Sequence, residues 1–334
     1  MHNPIDITEA AYDVTMSDVE WLTRIAEACR PAHDVGFGVS AYLVQVDFAR
    51  QTLDQTSPVV TVGDAPEGLE QLLIERMRDV GPATIRPEYL TAERTVSSAS
   101  ESFLVPDGTS FERWDRYAAS RRLGIADYLN ARSFDADGRG VVIDAGLPTV
   151  ARTTPQQVDR WRSVSVHLLA GLRLRRLLGE EVARVDSRGR VHAVSTSVSD
   201  EDLVEIRDAA TAVGTARGAL REDDPQRALE LWKGLVSGQW SMVDHFDRDG
   251  RRYLVARKNE PAALPVPGLS RRERQVVGYA AMGRSNKHIA YTLGVAPSTV
   301  SAQLTSALSK LGVERREDLL RLLGAAWRSR RSLS

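Results

Sequence analysis

Apolar positions along the first 180 residues switch between a helical period and a strand period. Ser17 with Glu20 has the form of a capping box, and Val19, Leu22, Ala26 and Cys29 follow on one helical face up to Pro31. Residues 38–48 are apolar at both parities, as expected of a strand covered on both sides. Asp64-Ala65-Pro66-Glu67 predicts the cap of a helix with the stripe Leu69, Leu72, Leu73, Arg76 and Met77. Another helix is expected through Phe111, Trp114 and Ala118 to Gly124. Residues 125–134 and 139–146 read as two strands joined by an Asp/Gly turn. Thr154-Pro155-Gln156-Gln157 opens a helix, with Pro first and Gln third, that continues through Trp161, Leu168, Leu169 and Leu172 to Gly179.

The pattern then changes twice. Residues 182–194 predict two short strands around Ser187-Arg188-Gly189, followed by alanine-rich helical sequence over 200–220. Asp223-Asp224-Pro225 starts a short helix with Leu229, Trp232, Leu235 and Val236, and residues 239–246 and 251–259 form a hairpin of alternating apolar residues. Pro261, Pro265 and Pro267 interrupt any regular element and predict an extended connector. Beyond it lie four helical segments. The first has a capping box at Ser270 and Glu273 and carries Val276, Val277 and Ala280 to Gly283. The second runs from Ser285 through Ile289, Ala290 and Leu293 to Gly294. The third starts at Pro297 with Val300, Leu304, Leu308 and Leu311 facing inward, and the fourth carries Leu319, Leu320, Leu323 and Trp327. The expected fold class is α+β multidomain: α/β blocks at 1–179 and 180–260, a linker at 261–268 and an all-α unit at 269–334.

Charge changes what a nucleic-acid partner would mean here. The 334 residues have a formal net charge of −1, which argues against such a partner at first sight. Residues 268–334, however, hold 12 Lys and Arg against 4 Asp and Glu (net +8), leaving 32 against 41 (net −9) for the rest. A basic segment on an acidic body is the footprint of a domain that meets phosphate, with a solvated Arg-rich surface as the plainer alternative. Two short helices joined by a Gly-containing turn inside that segment have the geometry of a helix-turn-helix.

The residues of that segment resemble the LuxR/GerE-type DNA-binding domain over about fifty positions. The matching pieces are Leu269-Ser270, Arg272-Glu273, Ala281 and Gly283, Ser285-Asn286-Lys287, Ile289-Ala290, Leu293-Gly294-Val295, Ser298-Thr299-Val300, Lys310-Leu311-Gly312-Val313 and Arg316. The resemblance implies a sequence-specific transcriptional regulator that binds double-stranded DNA as a homodimer, its third helix in the major groove. It places Lys287 and Thr299 near phosphate and Ser301, Ala302 and Thr305 at base-reading positions; Ser298 and Gln303 are expected in the same DNA-binding set, and Lys310, one turn further along, can reach the DNA backbone. Four positions depart from the family: Ser301 where a basic residue is usual, Gln303 for histidine, Ala296 for a hydroxyl cap and Gln275 for glutamate. The reading surface is therefore small and neutral, although Gln303 suits adenine and the alanine methyl suits thymine. A non-enzymatic dimeric interaction protein with a weak or vestigial DNA-binding domain is the alternative.

The element order of 1–179 resembles a GAF-type sensory domain, and that of 180–260 a small PAS-like domain. They imply a small-molecule or protein effector at the N-terminal block, where Trp21, Tyr42, Trp114, Tyr117 and Tyr128 are read first as core and second as pocket lining. Other chemistries find little support. The single cysteine, Cys29, excludes a disulfide framework and any site needing two thiolates; paired with His33 it reads as core beside surface rather than as metal ligands. Residues 244–250 read as a hairpin turn rather than a calcium loop. Neither a catalytic constellation nor a phosphate loop, receiver-domain pattern or acyl-homoserine-lactone receptor pattern is found, so no enzyme activity, cofactor or metal is expected. With no export signal and no run of about 18 apolar residues, the expected location is the cytoplasm, without membrane contact. The charge split also suggests autoinhibition, the acidic body covering the basic face, so that residues 263–334 alone would bind DNA at least as tightly as the whole chain.

Overall fold

The computed structural model describes residues 4–48, 50–78, 80–86, 89–90, 95–177, 181–232, 234–236, 238–246, 252–264, 266–319 and 322–323. Helices α1 (Pro4–Ala11) and α2 (Asp18–His33) lead into strands β1 (Val39–Asp47), β2 (Thr52–Gln55) and β3 (Val60–Val62). Next come α3 (Leu69–Met77), β4 (Val96–Ser98), α4 (Ala99–Ser102), α5 (Ala118–Arg122), β5 (Asp127–Phe134), β6 (Arg139–Leu147) and the long helix α6 (Pro155–Leu177). These six strands form one antiparallel sheet in the order β2-β1-β6-β5-β4, with β3 also pairing with β1. A second antiparallel sheet, β8-β7-β10-β9, is built from β7 (Glu181–Val185), β8 (Val191–Val194), β9 (Trp240–Phe246) and β10 (Arg252–Lys258). Between its hairpins lie α7 (Asp200–Arg217), α8 (Leu220–Asp223) and α9 (Pro225–Leu231). The chain continues through α10 (Arg271–Ala281), α11 (Asn286–Leu293) and α12 (Pro297–Leu311).

Local chemistry explains most of these boundaries. Ser17 and Glu20 form the expected capping box, and Thr154 and Gln157 cap α6 reciprocally. Three local expectations are corrected. Val19 is exposed, and α2 instead buries Trp21, Leu22, Ile25, Ala26 and Cys29, with Pro31 accommodated inside a helix that runs on to His33. At the start of α3 the cap is Gly68 in a left-handed conformation (φ 83°), with no side-chain bond from Asp64 or Glu67. Between Phe111 and Gly124 two 3-10 turns, Phe111–Arg113 and Asp115–Tyr117, precede the short α5. Phe111, Trp114 and Tyr117 recur every third residue, the 3-10 repeat, which brings all three rings together; the Phe111 and Tyr117 centroids are 4.4 Å apart.

Packing crosses the expected domain spans. Ile5 and Tyr12 from the N-terminal segment and Ala170 and Leu174 from α6 share a core with the four-stranded sheet, α7 and α9. Helices α1 and α6 meet at Gly171, where a Cβ would lie 1.9 Å from the Ala11 carbonyl oxygen. One face of the six-stranded sheet packs on α2 and α6 through Trp21, Ile25, Ala41, Ile143 and Leu168. The opposite face, with Tyr42, Val44, Tyr128 and Phe134, belongs to a core that extends into α10, α11 and α12. The proline-rich connector joins that core, with Leu264 and Val266 buried and the Pro261 carbonyl accepting from Gln275 Nε2 at 2.9 Å.

The five aromatics read as core or pocket are divided by the sheet. Trp21 lies on the α2 side, its indole N–H donating to Ala11 O (3.1 Å). Tyr42, Trp114, Tyr117 and Tyr128 lie on the other side, where the Arg76 guanidinium stacks 4.4 Å from the Tyr117 ring centre and 4.2 Å from that of Tyr128. Cys29 is a core residue, its thiol pKa raised by burial, and the His33 ring packs against Trp161. Among the described residues no helix is long and apolar enough to cross a membrane. The proposed turn at 247–250 and most of the fourth basic-segment helix lie outside the described residues; Leu319 and Leu323 are buried.

Candidate nucleic-acid interface

Each helix of the basic segment starts and stops where local chemistry dictates. Ser270 Oγ accepts from Glu273 N (3.2 Å) while Ser270 N donates to Glu273 Oε2 (2.7 Å), completing the capping box of α10. Ser285 caps α11 by accepting from His288 N, and α11 ends at Gly294 in the left-handed region (φ 64°). Helix α12 starts at Pro297 after Ala296, which supplies no side-chain cap, the loss expected where the family carries a hydroxyl.

Glu273 does more than cap. Its carboxylate accepts from Lys310 Nζ (2.7 and 2.9 Å) and Ser306 Oγ (2.7 Å), tying the start of α10 to the last turns of α12. Bonds from Lys310, Ser306 and Ser270 pull the Glu273 pKa down to about 2. Lys310, expected near the DNA backbone, is thus engaged by Glu273, with its side chain 46% exposed.

Helix α12 buries Val300, Leu304 and Ala307 and leaves Leu308 and Leu311 half-buried; Ala307 is a core position the sequence reading did not single out. Ser298, Thr299, Ser301, Ala302 and Thr305 are exposed on the other face, Gln303 is half-buried beside them, and Lys287 is exposed on α11. Ser301 is held in place: its hydroxyl accepts from Asn286 Nδ2 (3.0 Å) and donates to Pro297 O (3.1 Å). Arg316 Nη1 in turn donates to Asn286 Oδ1 (2.9 Å). Asn286 and Arg316 are therefore positioning residues. Their motif matches drew attention to them, but their side-chain roles depend on how α11 sits against α12.

The other side of the unit is anchored in the body. Tyr279 is fully buried and donates to Asp135 Oδ1 (2.6 Å); Asp135 Oδ2 accepts from Arg173 Nη1 (2.8 Å), whose Nε donates to Asn259 Oδ1 (3.1 Å). Burial raises the Asp135 pKa, but Arg173 and the Tyr279 hydrogen bond outweigh it, so the carboxyl lies below its usual range. Arg284 Nη2 donates to Phe134 O (2.6 Å). Helix α10 approaches the hairpin closely at Gly278, where a Cβ would come within 3.2 Å of Ala136 Cβ.

The second anchor is Tyr291 on α11. Its hydroxyl lies 2.9 Å from Leu229 O, 2.8 Å from Trp232 O and 2.9 Å from His167 Nε2. A phenol has one hydrogen to share between two carbonyls, so the network assigns Nε2–H of His167 as donor to the Tyr291 oxygen. His167 Nδ1 then accepts from the Tyr12 hydroxyl at 3.2 Å. Burial lowers the His167 pKa to about 3, keeping the ring neutral.

These contacts correct the expected autoinhibition. The body packs on α10 and α11, while the face of α12 that carries Ser301, Ala302 and Thr305 is exposed, so none of the described residues of the body shields it. Residues 263–334 alone would leave Tyr279, Arg284 and Tyr291 without their buried partners. Acidic residues of the body do reach the edge of the α12 face at a groove of about 540 Å³, where Glu205 and Glu230 share the lining with Arg272 and Thr299.

Comparison with known proteins agrees with this geometry. Residues 267–323 match the family model described as bacterial regulatory proteins, luxR family. The HTH-type transcriptional regulator MalT of Vibrio campbellii is 35% identical over 115 residues, covering 32% of this chain and 13% of that protein. MalT of Vibrio cholerae is 33% identical over the same length and shares. The chain thus spans about an eighth of the length of the curated relatives it matches. SdiA of Escherichia coli aligns over 93% of this chain and 92% of its own at 11% identity, with a TM-score of 0.25, too distant to bear on the body's fold. Residues 267–323 are a luxR-family helix-turn-helix domain.

Proposed function

We propose that the chain is a one-component, cytoplasmic, sequence-specific transcriptional regulator that binds double-stranded DNA as a homodimer and senses its signal in the body. The observation that carries this reading is the open face of α12, with Thr299, Ser301, Ala302 and Thr305 exposed inside a segment that matches a DNA-binding family. In this reading the exposed Lys287, Ser298 and Thr299 contact phosphate, and Ser301, Ala302, Gln303 and Thr305 read base edges. Lys310 joins the phosphate contacts only by giving up part of its pairing with Glu273. Residues 1–179 act as a GAF-like sensory domain and 180–260 as a PAS-like or accessory one, joined to the reader by 261–268. The body has no enzymatic role and takes up a small molecule or protein as effector.

The test is DNA binding by the full chain across a salt series. A binder that neutralises several phosphates loses affinity steeply as salt rises. Weak binding to every sequence, flat in salt, would favour the second reading, a dimeric interaction protein with a vestigial reader. The neutral surface around Ser301 and Ala302 is what supports that alternative.

A further inference from the structure

The face of the six-stranded sheet that carries Tyr42 and Tyr128 also holds a row of polar residues among apolar positions. In register across five strands stand Thr61, Ser40, Asp144, Asn130 and Ser97. Ser40, Asp144, Asn130 and Ser97 are all buried. Asp144 accepts from the Tyr42 hydroxyl (2.8 Å) and from Asn130 Nδ2. Among the described residues, Asn130 Oδ1 and, two residues before Ser97, Thr95 Oγ1 are buried without a hydrogen-bond partner. Unsatisfied polar atoms on a core face oppose folding, so their place in this row needs a reason other than stability.

The row ends at a cleft of about 470 Å³ on the β4 side, lined by Arg86, Tyr89, Ser97, Ser102, Arg132 and Arg152. Arg132 is buried; Nε donates to Tyr89 O (2.8 Å), Nη1 to Ser97 Oγ (2.7 Å), and its guanidinium stacks 4.2 Å from the Tyr89 ring centre. Arg86 and Arg152 are exposed. Glu101 also borders the cleft, but its Oε2 accepts from Ser98 N (3.0 Å), Thr153 N (3.1 Å) and Thr153 Oγ1 (2.9 Å). Among the described residues the cleft therefore presents the Arg86, Arg132 and Arg152 guanidinium groups and the hydroxyls of Tyr89, Ser97, Ser100 and Ser102, beside a Glu101 carboxylate whose Oε2 already accepts from backbone and hydroxyl donors. Guanidinium forks match carboxylate and phosphate oxygens, and the volume is that of a small-molecule site.

We infer that this cleft binds a small organic anion through a carboxylate or phosphoryl group, with Arg132 as its fixed base and Arg86 and Arg152 as its rim. The inference rests on the reading of the body as a sensor and names the chemical class of its effector. The buried guanidinium, held by Tyr89 and Ser97, is pre-oriented, whereas the rim arginines adapt to the part of the ligand that reaches solvent.

The test is thermal unfolding of the full chain with inorganic phosphate in one arm and succinate in the other, each against chloride at matched ionic strength. At roughly ten times its Kd, a bound anion raises the unfolding midpoint by about 2–4 °C. The two arms separate a phosphoryl from a carboxylate ligand. The shift should vanish in the double variant R86A/R152A, whose exposed positions spare the core, and persist in K287A, where the change lies on the DNA-reading segment. No shift with either anion would overturn the inference, as would equal shifts in wild type and R86A/R152A. DNA binding is measured separately on the wild-type chain, so either reading can fail while the other stands.

Discussion

The luxR-family domain has two faces built on different physics. On the side of α10 and α11, Tyr279, Arg284 and Tyr291 reach into the body and end on buried partners: Asp135, the Phe134 carbonyl and His167 with the Leu229 and Trp232 carbonyls. On the side of α12, short hydroxyl and methyl side chains stand in solvent, and Ser301 is tied to Asn286 and to its own helix. Away from water, a polar group without its partner is costly, which makes the first face intolerant of change. Exposed groups exchange bonds with water at little cost, so the second face tolerates substitution without loss of stability. A compact unit following a proline-rich connector has thus become part of the body's core on one side while leaving the α12 face exposed on the other.

The sharpest way to break that contrast is at Asp135. Asp135→Asn removes the charge facing Arg173 inside the body, and leaving one member of a buried pair unmatched costs about 3–5 kcal/mol. Chemical denaturation measures it; a loss comparable to that of an exposed substitution would mean the network does not hold the docking face. Acid should act on the same face. His167, with its pKa lowered to about 3 by burial, is neutral in the fold but takes up a proton when unfolded below its ordinary value. Stability is therefore lost as pH falls from about 6.5 toward 3, by about 2 kcal/mol at pH 5. His167→Gln should flatten the unfolding profile over that range. Glu273 acts in a separate, lower window: its depressed pKa means its bracing of α10 and α12 is lost as pH falls from about 4.5 toward 2.

Smaller effects are expected on the open face. Lys287→Ala or Thr299→Ala should weaken DNA binding roughly tenfold at equal unfolding stability, and loss of the lysine should lower the salt slope by about 1. Unchanged affinity in a filter-binding or anisotropy assay would remove both as phosphate contacts. Smallest is the effect of E205Q/E230Q, which neutralises the acids lining the groove beside Thr299 and should tighten binding about two- to fivefold at low salt, fading as salt screens it. Tighter binding that ignored salt would point to a changed domain arrangement instead.

Legibility in the sequence followed how local the deciding interaction is. The capping boxes at Ser17 and Ser270, the Pro155 and Pro297 helix starts and the Gly294 stop were readable because each depends on neighbours within a turn. The hairpins of β5 with β6 and β9 with β10 were readable from alternation and turn residues. Helix α1 and strands β2, β3 and β4 were not singled out, since short, partly polar elements gain their stability from what they pack against or pair with. Val19 was placed on the wrong face because helical periodicity alone does not say which neighbouring stripe meets the sheet. Among the proposed DNA contacts the exposed side of α12 was legible from its apolar stripe, whereas the pairing of Lys310 with Glu273, 37 residues apart, was not.

What the amino-acid order determined by itself is the helix-turn-helix unit: three described helices, the side-chain caps of the first two, an outward row of small polar side chains on α12 and a net positive segment on an acidic chain. Only the tertiary structure decided where that unit sits. Tyr279, Tyr291 and Gln275 carry no local sign of their partners, which lie 144, 124 and 14 residues away for the contacts to Asp135, His167 and Pro261. Periodicity reports which side of a helix avoids water, but the identity of the surface it meets is set by long-range packing, and with it which polar groups are buried and must be paired.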